Sequence, residues 1–423
     1  MGGLLAIVMA GGAGERLQPL TRDRAKAAVP FGGKFRLIDF TLSNCINSGL
    51  RQIYILTQYR SESLHRHVQD GWSISSSGLG DFIYCVPAQQ KLGVEWYRGT
   101  ADAVRQNLNL VKMKDVEDVL ILSGDHIYKM NYLQLMAYHR MKRASLTVAA
   151  IRVKKEEAAG NLGVMEIDQY GRLISFEEKP AQPKTIPDAP DFALASMGVY
   201  IFRVDTLFEA LQGNEDDFGK DIIPKMVGKH TDIFVYDYEK ENKIEDFIIE
   251  VKEGRRERIL VDRTRDSGYW KDVGTIDAYY GASMDLVGIE PVFNLYGGKW
   301  PIRTYQRPLP PAKLVLGGNT PESIICDGVI VSGGTVWESI ISPGVVVERG
   351  ASVVQSIIFD DVVIEPGATV RRAIIDKESI IRAGASVGLN RDIDKARGCI
   401  VSASGITVVT KGSDIGRSEP SLL

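Results

Sequence analysis

The chain has 423 residues, of which 44% are hydrophobic and 25% are charged, and its formal net charge is −3. One hydrophobic core rarely serves a chain of this length, so we expect two domains. The nearly balanced charge argues against nucleic acid or an anionic membrane surface as a partner, and no apolar run reaches the ~18 residues of a membrane helix.

Four widely spaced cysteines, none in a CxxC pair, predict reduced thiols rather than a zinc site or a disulfide framework. Reduced thiols are typical of cytoplasmic proteins, and we expect this location. The first ten residues are apolar, lack a basic segment and lead directly into a glycine-rich loop. They therefore predict a strand rather than a signal peptide.

Strand and helix patterns alternate over residues 1–285, which we expect to form the first domain. Short apolar runs rich in branched residues predict strands at 4–10, 52–57 and 118–123. Longer helical patterns separate them at 36–49 and 100–113. The alternation predicts an α/β fold with a Rossmann-like, mixed and mostly parallel sheet that is covered on both faces. In such sheets ligands bind beyond the carboxyl ends of the strands.

A glycine-rich loop, GGAGER, follows the first predicted strand. It does not match the dinucleotide-binding fingerprint, because the third glycine is absent. Gly33-Lys34 does not complete a P-loop either, because Phe35 follows it and Ala28 stands at the position of the first glycine. Gly11, Gly12 and Gly14 would let backbone N–H groups approach an anion. Arg16 and Lys26 supply two cations that suit a polyphosphate. On these residues alone, a tight strand-to-helix turn without a ligand explains the loop equally well.

The remaining sequence changes character twice. Residues 286–320 are rich in proline and glycine and predict an ordered linker between the domains. Over 321–423 small or apolar residues recur every six positions, at Val345, Ala351, Ile357, Val363, Thr369, Ile375, Ile381 and Val387. This period is typical of a parallel β-helix with stacked coils, whereas a β-sandwich would show longer and less regular spacing. A second apolar series one step on is consistent with a slip in phase, at Ile358, Ile364 and Val370.

The glycine loop and the lysine after it resemble the signature of sugar-1-phosphate nucleotidylyltransferases. Eight further blocks narrow the resemblance to the bacterial glucose-1-phosphate adenylyltransferases: RLIDFTLSNCINSG, WYRGTADAV, SGDHIYKMNY, FEEKP, ALASMGVYIF, DFGKDIIP, YWKDVGTIDAYY and WPIRTY with LPPAKL. The hexad region resembles the left-handed parallel β-helix of that family. One departure is Ala27, where the family usually has proline, and the loss of proline should loosen the loop slightly.

The resemblance implies transfer of the adenylyl group of ATP to glucose 1-phosphate, which gives pyrophosphate and ADP-glucose, the glucosyl donor for glycogen or starch. Two anions must meet in this reaction, so positioning and charge neutralisation should carry the catalysis without a general base. The open ends and flat faces of a β-helix favour subunit packing, and we expect a homotetramer.

The resemblance also assigns residues by their place in the matching blocks. Arg16, Lys26 and Asp125 are the expected catalytic residues. Nucleotide binding is expected at Gly11, Gly12, Gly14, Gln89, Tyr97, Gly99 and Thr100. Glucose 1-phosphate binding is expected at Tyr97, Gly163, Glu178, Lys179 and Ser196. For Glu178 and Lys179, a solvated charged turn before a proline is the alternative.

Two aspartates are the expected ligands of a Mg²⁺ cofactor. Asp125 follows a buried strand, and Asp272 lies in the block YWKDVGT. Mg²⁺ needs only one or two protein carboxylates beside phosphate oxygens and water, so this pair suffices. The alternative for a lone aspartate at a strand end is the N-cap of a helix.

More basic residues lie near the loop than pyrophosphate requires. Arg24 and Arg36 match effector-site positions of the family, and we expect them to form a second anion site for phosphorylated metabolites. A solvated basic face is the alternative.

Two other functions are alternatives to the adenylyltransferase. One is a sister transferase that uses UTP, dTTP or GTP, which should lack the WYRGTADAV and WPIRTY blocks. The other is a non-catalytic regulatory subunit, which tends to lose the loop arginine, the loop lysine or the metal aspartate. Arg16, Lys26 and Asp125 are all present.

Overall fold

The computed structural model describes residues 3–73, 78, 80–89, 96–113, 116–229, 231–252 and 255–416. Its first strands are β1 (Gly3–Ala10), β2 (Pro30–Phe31), β3 (Phe35–Arg36), β4 (Gln52–Thr57), β5 (Phe82–Pro87), β6 (Val116–Ser123), β7 (His126–Tyr128), β8 (Leu146–Lys154), β9 (Val164–Ile167), β10 (Leu173–Glu177), β11 (Phe192–Arg203), β12 (Ile233–Asp237), β13 (Asp246–Lys252), β14 (Arg255–Val261) and β15 (Trp270–Asp272).

The helices between these strands are α1 (Leu37–Asn47), α2 (Glu62–Gly71), α3 (Thr100–Arg105), α4 (Leu108–Lys112), α5 (Tyr132–Lys142), α6 (Lys155–Ala158), α7 (Val204–Ala210), α8 (Ile223–Val227), α9 (Tyr238–Glu241) and α10 (Ile276–Met284). Shorter helical turns lie at Glu15–Leu17, Lys26–Ala28, Phe218–Ile222 and Arg265–Gly268. No helix among the described residues has the length and apolar character needed to cross a bilayer.

Nine of the described strands form one mixed sheet. Its order is β10-β9-β11-β6-β1-β4-β5, with β8 also paired to β11 and β12 paired to β8. The strands β6, β1, β4 and β5 run parallel, whereas β11 runs antiparallel to β6, β8 and β9. The prediction of an α/β fold with a mixed sheet is confirmed. The described sheet is not mostly parallel, because β11 pairs antiparallel with three strands and four of the eight pairings are antiparallel.

Both faces of this sheet are covered by apolar cores. Along β1, Ala6 and Val8 enter one core, while Leu5 and Ile7 enter the other. None of the four is more than 2% exposed. A strand that alternates between two cores must be apolar at every position, which is why β1 forms a continuous apolar run in the sequence.

The second part of the chain is a stack of short strands. They are β16 (Lys313–Val315), β17 (Ile324–Ile325), β18 (Ile330–Ser332), β19 (Thr335–Trp337), β20 (Ile340–Ile341), β21 (Val346–Val347), β22 (Ser352–Val354), β23 (Ile357–Ile358), β24 (Val363–Ile364), β25 (Thr369–Arg371), β26 (Ala373–Ile375), β27 (Ile380–Ile381), β28 (Ser386–Val387), β29 (Ile400–Val401), β30 (Thr407–Val409) and β31 (Asp414–Ile415). One helix, α11 (Arg391–Ala396), interrupts the described coils. The strands form three ladders, parallel throughout except for β29 against β30, which confirms the predicted parallel β-helix.

One coil of the β-helix is 17 residues long, as the pairing of Ile340 with Ile357 shows. Three sides of six residues would need one residue more, so one side of this coil is short. A strict six-residue series therefore drifts out of the interior. Val363 and Thr369 of the predicted series are half-buried, whereas Ile364 and Val370 of the second series are fully buried.

The β-helix packs against the first part of the chain through one outward face. Ile340, Ile357 and Ile374 share an apolar cluster with Phe31 and Tyr279. The segment 286–320 runs beside this contact and is held to α1, because Trp300 Nε1 donates to Asn44 Oδ1 at 2.9 Å and the Arg303 N–H donates to Ser43 Oγ at 2.8 Å. The segment is thus ordered, while the domain limits at 285 and 320 stay predictions.

Candidate active site

The glycine loop leaves β1 and folds onto the segment that carries Lys26. Gly14 has a φ of 65°, and a Cβ atom there would lie 2.8 Å from Thr21 Cγ2 and 3.1 Å from Lys26 Cβ. The left-handed backbone and the close approach both require glycine. Gly12, by contrast, is exposed, and a Cβ there would meet no described atom within 4 Å. The outer surface of the loop is therefore open to a ligand.

Lys26 lies between two carboxylates from distant parts of the chain. Its Nζ is 2.8 Å from Asp125 Oδ2 and 3.2 Å from Asp272 Oδ1. Asp125 directly precedes β7 and Asp272 ends β15, and these two strands pair antiparallel with Asp272 opposite His126. The three predicted residues form one cluster at the carboxyl ends of β1 and β6, the edge at which such sheets bind ligands.

The charges within this cluster stabilise one another. Burial by itself raises the pKa of Asp125, but the charges of Lys26 and His126 and hydrogen bonds from Lys26 and Ser123 outweigh it and bring the pKa below its usual range. Burial lowers the pKa of Lys26, but Asp125 and Asp272 reverse this effect and raise the pKa above its ordinary value. At neutral pH Lys26 is therefore protonated and Asp125 is ionised.

The two carboxylates have the chemistry of a cation site. Both contact the Lys26 ammonium, and the side chains of Asp125 and Asp272 are 23% and 24% exposed, so water and phosphate oxygens can reach them. Within the described part of the chain, no group of three or more His, Cys, Asp or Glu side chains could hold a metal. A pair of carboxylates suits Mg²⁺, which keeps several waters and binds phosphate oxygens.

A second group of predicted residues surrounds the Glu178 carboxylate. A Cβ on Gly163 would lie 2.8 Å from Glu178 Oε2 and 2.6 Å from Phe176 Cζ. A Cβ on Gly219 would lie 2.7 Å from the same carboxylate oxygen. Both glycines are therefore needed for the carboxylate to lie against the backbone.

The backbones of Lys179 and Ser196 are hydrogen-bonded to the backbone at and beside Gly163. The Lys179 N–H donates to the Leu162 carbonyl at 3.2 Å, and the Ser196 N–H donates to the Gly163 carbonyl at 2.8 Å. Lys179 Nζ is 3.6 Å from Glu178 Oε1 and its side chain is half exposed. Burial raises the pKa of Glu178, and the charge of Lys179 offsets part of this rise. The lysine amine is accessible to an anion that comes from solvent.

Tyr97 is joined to the glycine loop through Gln58. The Tyr97 N–H donates to Gln58 Oε1 at 2.8 Å, and the Tyr97 hydroxyl accepts from Asn107 Nδ2 at 2.8 Å. A Cβ on Gly11 would lie 3.3 Å from Gln58 Cβ. Gln89 is exposed after the end of β5, beside residues 90–95, which lie outside the described residues.

Gly99 and Thr100 begin α3 and attach it to another loop. A Cβ on Gly99 would collide with the Asp216 carbonyl oxygen. Thr100 Oγ1 donates to Asp217 Oδ2 at 3.0 Å and accepts the Phe218 N–H at 3.0 Å. Gly99 and Thr100, two of the seven residues predicted to bind nucleotide, thus connect the start of α3 to the loop that leads towards Gly219.

A cavity of about 400 Å³ lies beside Asp272, and its lining includes Arg16, Asn161, Trp270, Asp272 and Gly274. Arg16 is exposed, and its Nη1 lies 3.5 Å from Asn161 Oδ1. Asn161 is two residues from Gly163, so the guanidinium lies between the two groups of predicted residues.

The predicted effector residues occupy different positions. Arg36 lines a cavity of about 160 Å³ where the first part of the chain meets the β-helix, together with Lys34, Arg307, Asp360 and Lys377. Burial lowers the pKa of Arg36 and of Lys377, and the charge of Arg24 adds to both effects. Arg24 itself is 6% exposed and donates to both carboxylate oxygens of Asp376, at 3.1 and 2.9 Å. Arg24 therefore joins the two parts of the molecule through Asp376, and its place in an effector site stays a prediction.

Sequence reasoning gave no role to several residues at the site. Gln58 follows the buried strand β4, and that position was the only signal that could have drawn attention to it. Asp217 and Gly219 lie inside the DFGKDIIP block, but the block alone does not tell which side chains face the site. Asn161 is close to a predicted residue and carries no motif of its own.

Two family models match most of the chain. Residues 5–288 match the nucleotidyl transferase family, and residues 310–409 match the GlmU-like C-terminal hexapeptide family. A glucose-1-phosphate adenylyltransferase of Rhodopirellula baltica is 44% identical, over 97% of this chain and 90% of its own length. Proteins of that name from Vibrio vulnificus and Cutibacterium acnes are 44% and 45% identical, over 98% and 97% of this chain and 100% and 97% of their own lengths.

Proposed function

The chain belongs to the glucose-1-phosphate adenylyltransferases, which make ADP-glucose from ATP and glucose 1-phosphate, and we propose that the transfer takes place at the cluster of Lys26, Asp125 and Asp272. The observation that carries this proposal is the contact of one ammonium, Lys26 Nζ, with both carboxylates at the carboxyl edge of the sheet. ADP-glucose is the glucosyl donor for glycogen or starch synthesis.

The reaction needs charge neutralisation more than proton transfer. An oxygen of the sugar phosphate bonds to the α-phosphorus of ATP, and the bond from that phosphorus to the pyrophosphate oxygen breaks in line. The attacking phosphate is already ionised near neutral pH, so no general base is required. Arg16 and Lys26 provide positive charge beside the oxygens on which negative charge builds up during the transfer. Asp125 holds Lys26 in position beforehand.

Asp125 and Asp272 would hold a Mg²⁺ ion. Enzymes of the nucleotidyltransferase family generally use a divalent metal ion. When bound, the ion would neutralise and align the phosphate oxygens. Lys26 offsets the repulsion between the two carboxylates and keeps Asp125 ionised, so that the pair is ready for a cation.

Glucose 1-phosphate would bind at the second group of predicted residues, around the Glu178 carboxylate. Glu178 is half-buried, where it can accept hydrogen bonds from sugar hydroxyls, and the exposed Lys179 amine beside it can pair with the phosphate. Gly163 and Ser196 supply the backbone against which the sugar would lie.

ATP would lie along the glycine loop. The N–H groups of Gly11, Gly12 and Gly14 and the guanidinium of Arg16 suit a triphosphate. Tyr97 would contact both substrates, because Gln58 links it to the glycine loop. Gln89 follows β5 at the same edge of the sheet and would contact the nucleotide. Gly99 and Thr100 would act by shaping the loop between the two binding sites.

Regulation would act at the cavity lined by Arg36. Asp360 already contacts Lys377 Nζ at 2.8 Å, so a phosphorylated metabolite would bind beside Arg36, whose pKa is lowered by burial and which lines the cavity. The Arg24–Asp376 ion pair offers a route to the active site, because Arg24 is two residues from Lys26. We expect a homotetramer assembled in part through the β-helix, and a location in the cytoplasm.

Pyrophosphate release from ATP and glucose 1-phosphate tests this function. The same assay with UTP, dTTP and GTP tests the nucleotide, and a rate above that with ATP would contradict adenylyl transfer. Absence of release with every nucleotide would favour a non-catalytic subunit. Fructose 1,6-bisphosphate, AMP and inorganic phosphate, added singly, test regulation.

A further inference from the structure

The short ribbon of β7 and β15 sets the distance between the two carboxylates. Its three residue pairs have Asp272 opposite His126 at one end and Trp270 opposite Tyr128 at the other. Asp125 lies at the first end. A two-stranded ribbon of this length is not stable by itself, so other contacts must fix its register.

A buried ion pair holds the end of the ribbon away from the active site. Lys129 directly follows β7, and its Nζ is 2.7 Å from Asp266 Oδ2, with both side chains only 2% exposed. Lys129 Nζ also donates to the Asn294 carbonyl at 2.7 Å, and Asp266 Oδ2 accepts the Asn294 N–H at 3.1 Å. Thr264 Oγ1 donates to the other Asp266 oxygen at 2.5 Å. All polar atoms of the pair therefore have partners within the protein.

Two buried side chains join the backbones of the two strands at the same end. Tyr238 Oη lies 2.9 Å from the Lys129 carbonyl and 3.0 Å from the Tyr269 carbonyl. Asn242 Nδ2 donates to the Lys129 carbonyl at 2.9 Å and to the Ser267 carbonyl at 2.8 Å. Each side chain thus contacts the residue that follows β7 and a residue that precedes β15.

A buried ion pair is a poor source of stability, because an apolar pair of similar volume often stabilises a core equally well. The ion pair instead fixes the register of β7 against β15, because its hydrogen bonds are satisfied in only one relative position of the two strands. A slip of the ribbon by one residue would turn Asp272 to the opposite face.

We propose that Lys129 and Asp266 are positioning residues that hold Asp125 and Asp272 at the spacing required for a divalent cation bound together with ATP. Neither residue touches the substrates. The inference rests on the proposed function, because it takes Asp125 and Asp272 as the metal ligands.

The test uses the full chain with both charges of the pair removed together, Lys129→Met with Asp266→Asn, so that no unpaired charge is buried. The probe is Mn²⁺ with ATP in the absence of glucose 1-phosphate, followed by water-proton relaxation. Mutation of a residue that orients a metal ligand typically lowers the affinity for the metal by about 10- to 100-fold. We expect the half-saturating Mn²⁺–ATP concentration to rise about tenfold. This is the lower end of that range, because Lys129 and Asp266 act on the metal ligands only through the ribbon.

The KM for glucose 1-phosphate should stay within about twofold, because Glu178 and Lys179 lie outside the ribbon. The matched control is Asp118→Asn with Arg140→Met, which removes an ion pair with a 3.0 Å contact at the amino end of β6. This control should leave Mn²⁺–ATP binding unchanged. A folded Lys129/Asp266 double variant that binds Mn²⁺–ATP like the parent overturns the inference.

Tyr238→Phe provides a second measurement in case the double variant does not fold. It removes one hydroxyl that bridges the two strands and should weaken Mn²⁺–ATP binding in the same direction by a smaller factor, and unchanged binding overturns the inference. Asp125→Asn is measured in parallel. If Asp125→Asn binds Mn²⁺–ATP normally, the metal assignment itself is wrong. If Asp125→Asn alone loses Mn²⁺–ATP binding and the other variants keep it, only the role of Lys129 and Asp266 is refuted.

Discussion

Replacement of Asp125 by asparagine tests the central contact of the site. The substitution keeps the shape of the side chain and removes the charge that lies 2.8 Å from Lys26 Nζ. Lys26 retains its contact with Asp272 at 3.2 Å, so it is not left without a partner. Because the Asp125 side chain is 23% exposed, the lost ion pair should cost at most about 1 kcal/mol of folding free energy.

The effect on catalysis should be much larger than the effect on stability. Removal of one preorganised electrostatic partner typically lowers kcat by about 10²- to 10³-fold, so we expect a loss of at least ~10²-fold. The assay is initial-rate pyrophosphate release at saturating ATP, glucose 1-phosphate and Mg²⁺. Thermal unfolding verifies that the variant is folded. Asp23→Asn serves as the control, because Asp23 is a surface carboxylate paired with Arg22 and Arg60.

Acidification supplies a second readout for Asp125→Asn. The pKa of Asp125 is depressed in the folded chain, so the stability it contributes is present above the ordinary carboxyl pKa and is lost as the pH falls through the folded value. The difference in unfolding free energy between parent and variant should therefore shrink below about pH 4. A variant that is folded and works within about threefold of the parent would refute the assignment of Asp125.

Four further outcomes are expected. Lys179→Ala should raise the KM for glucose 1-phosphate far more than the KM for ATP in initial-rate assays, and equal effects would exclude a contact with the sugar phosphate. Gly163→Ala places a Cβ 2.8 Å from Glu178 Oε2, so overpacking of about 1–3 kcal/mol should weaken glucose 1-phosphate binding, measured as KM, and an unchanged KM would contradict this. Arg36→Ala should reduce the response to phosphorylated metabolites, a coupling usually worth about 1–3 kcal/mol, while basal activity changes little; no response of the parent to any such metabolite at millimolar concentration would remove the effector site. Light scattering at micromolar concentration should give a tetramer, and a monomer would contradict the expected assembly.

Much of the active site was predictable because its residues follow buried strands or lie in recognisable blocks. Lys26, Asp125 and Asp272 were each predicted individually, and the structure brings them together. Gln58 was not predicted, since a polar residue after an apolar run occurs at many strand ends. Arg24 was expected to face an anion, but whether a basic side chain meets solvent or a buried carboxylate depends on the distant residue Asp376.

The sequence by itself determined the features that repeat locally. Apolar runs reveal the strands of a sheet covered on both faces, as in β1, because every position of such a strand meets a core. The recurrence of small and apolar residues reveals the β-helix, because each coil must bury the same interior positions.

Only the tertiary structure decided the features that depend on contacts between distant segments. The 17-residue coil follows from the pairing of Ile340 with Ile357, and a local period cannot distinguish three full sides from two full sides and a short one. The spacing of Asp125 and Asp272 follows from the pairing of β7 with β15, and that pairing is held by the buried contact of Lys129 with Asp266. Such contacts leave no period in the sequence, because their energy comes from the meeting of segments that the chain order separates.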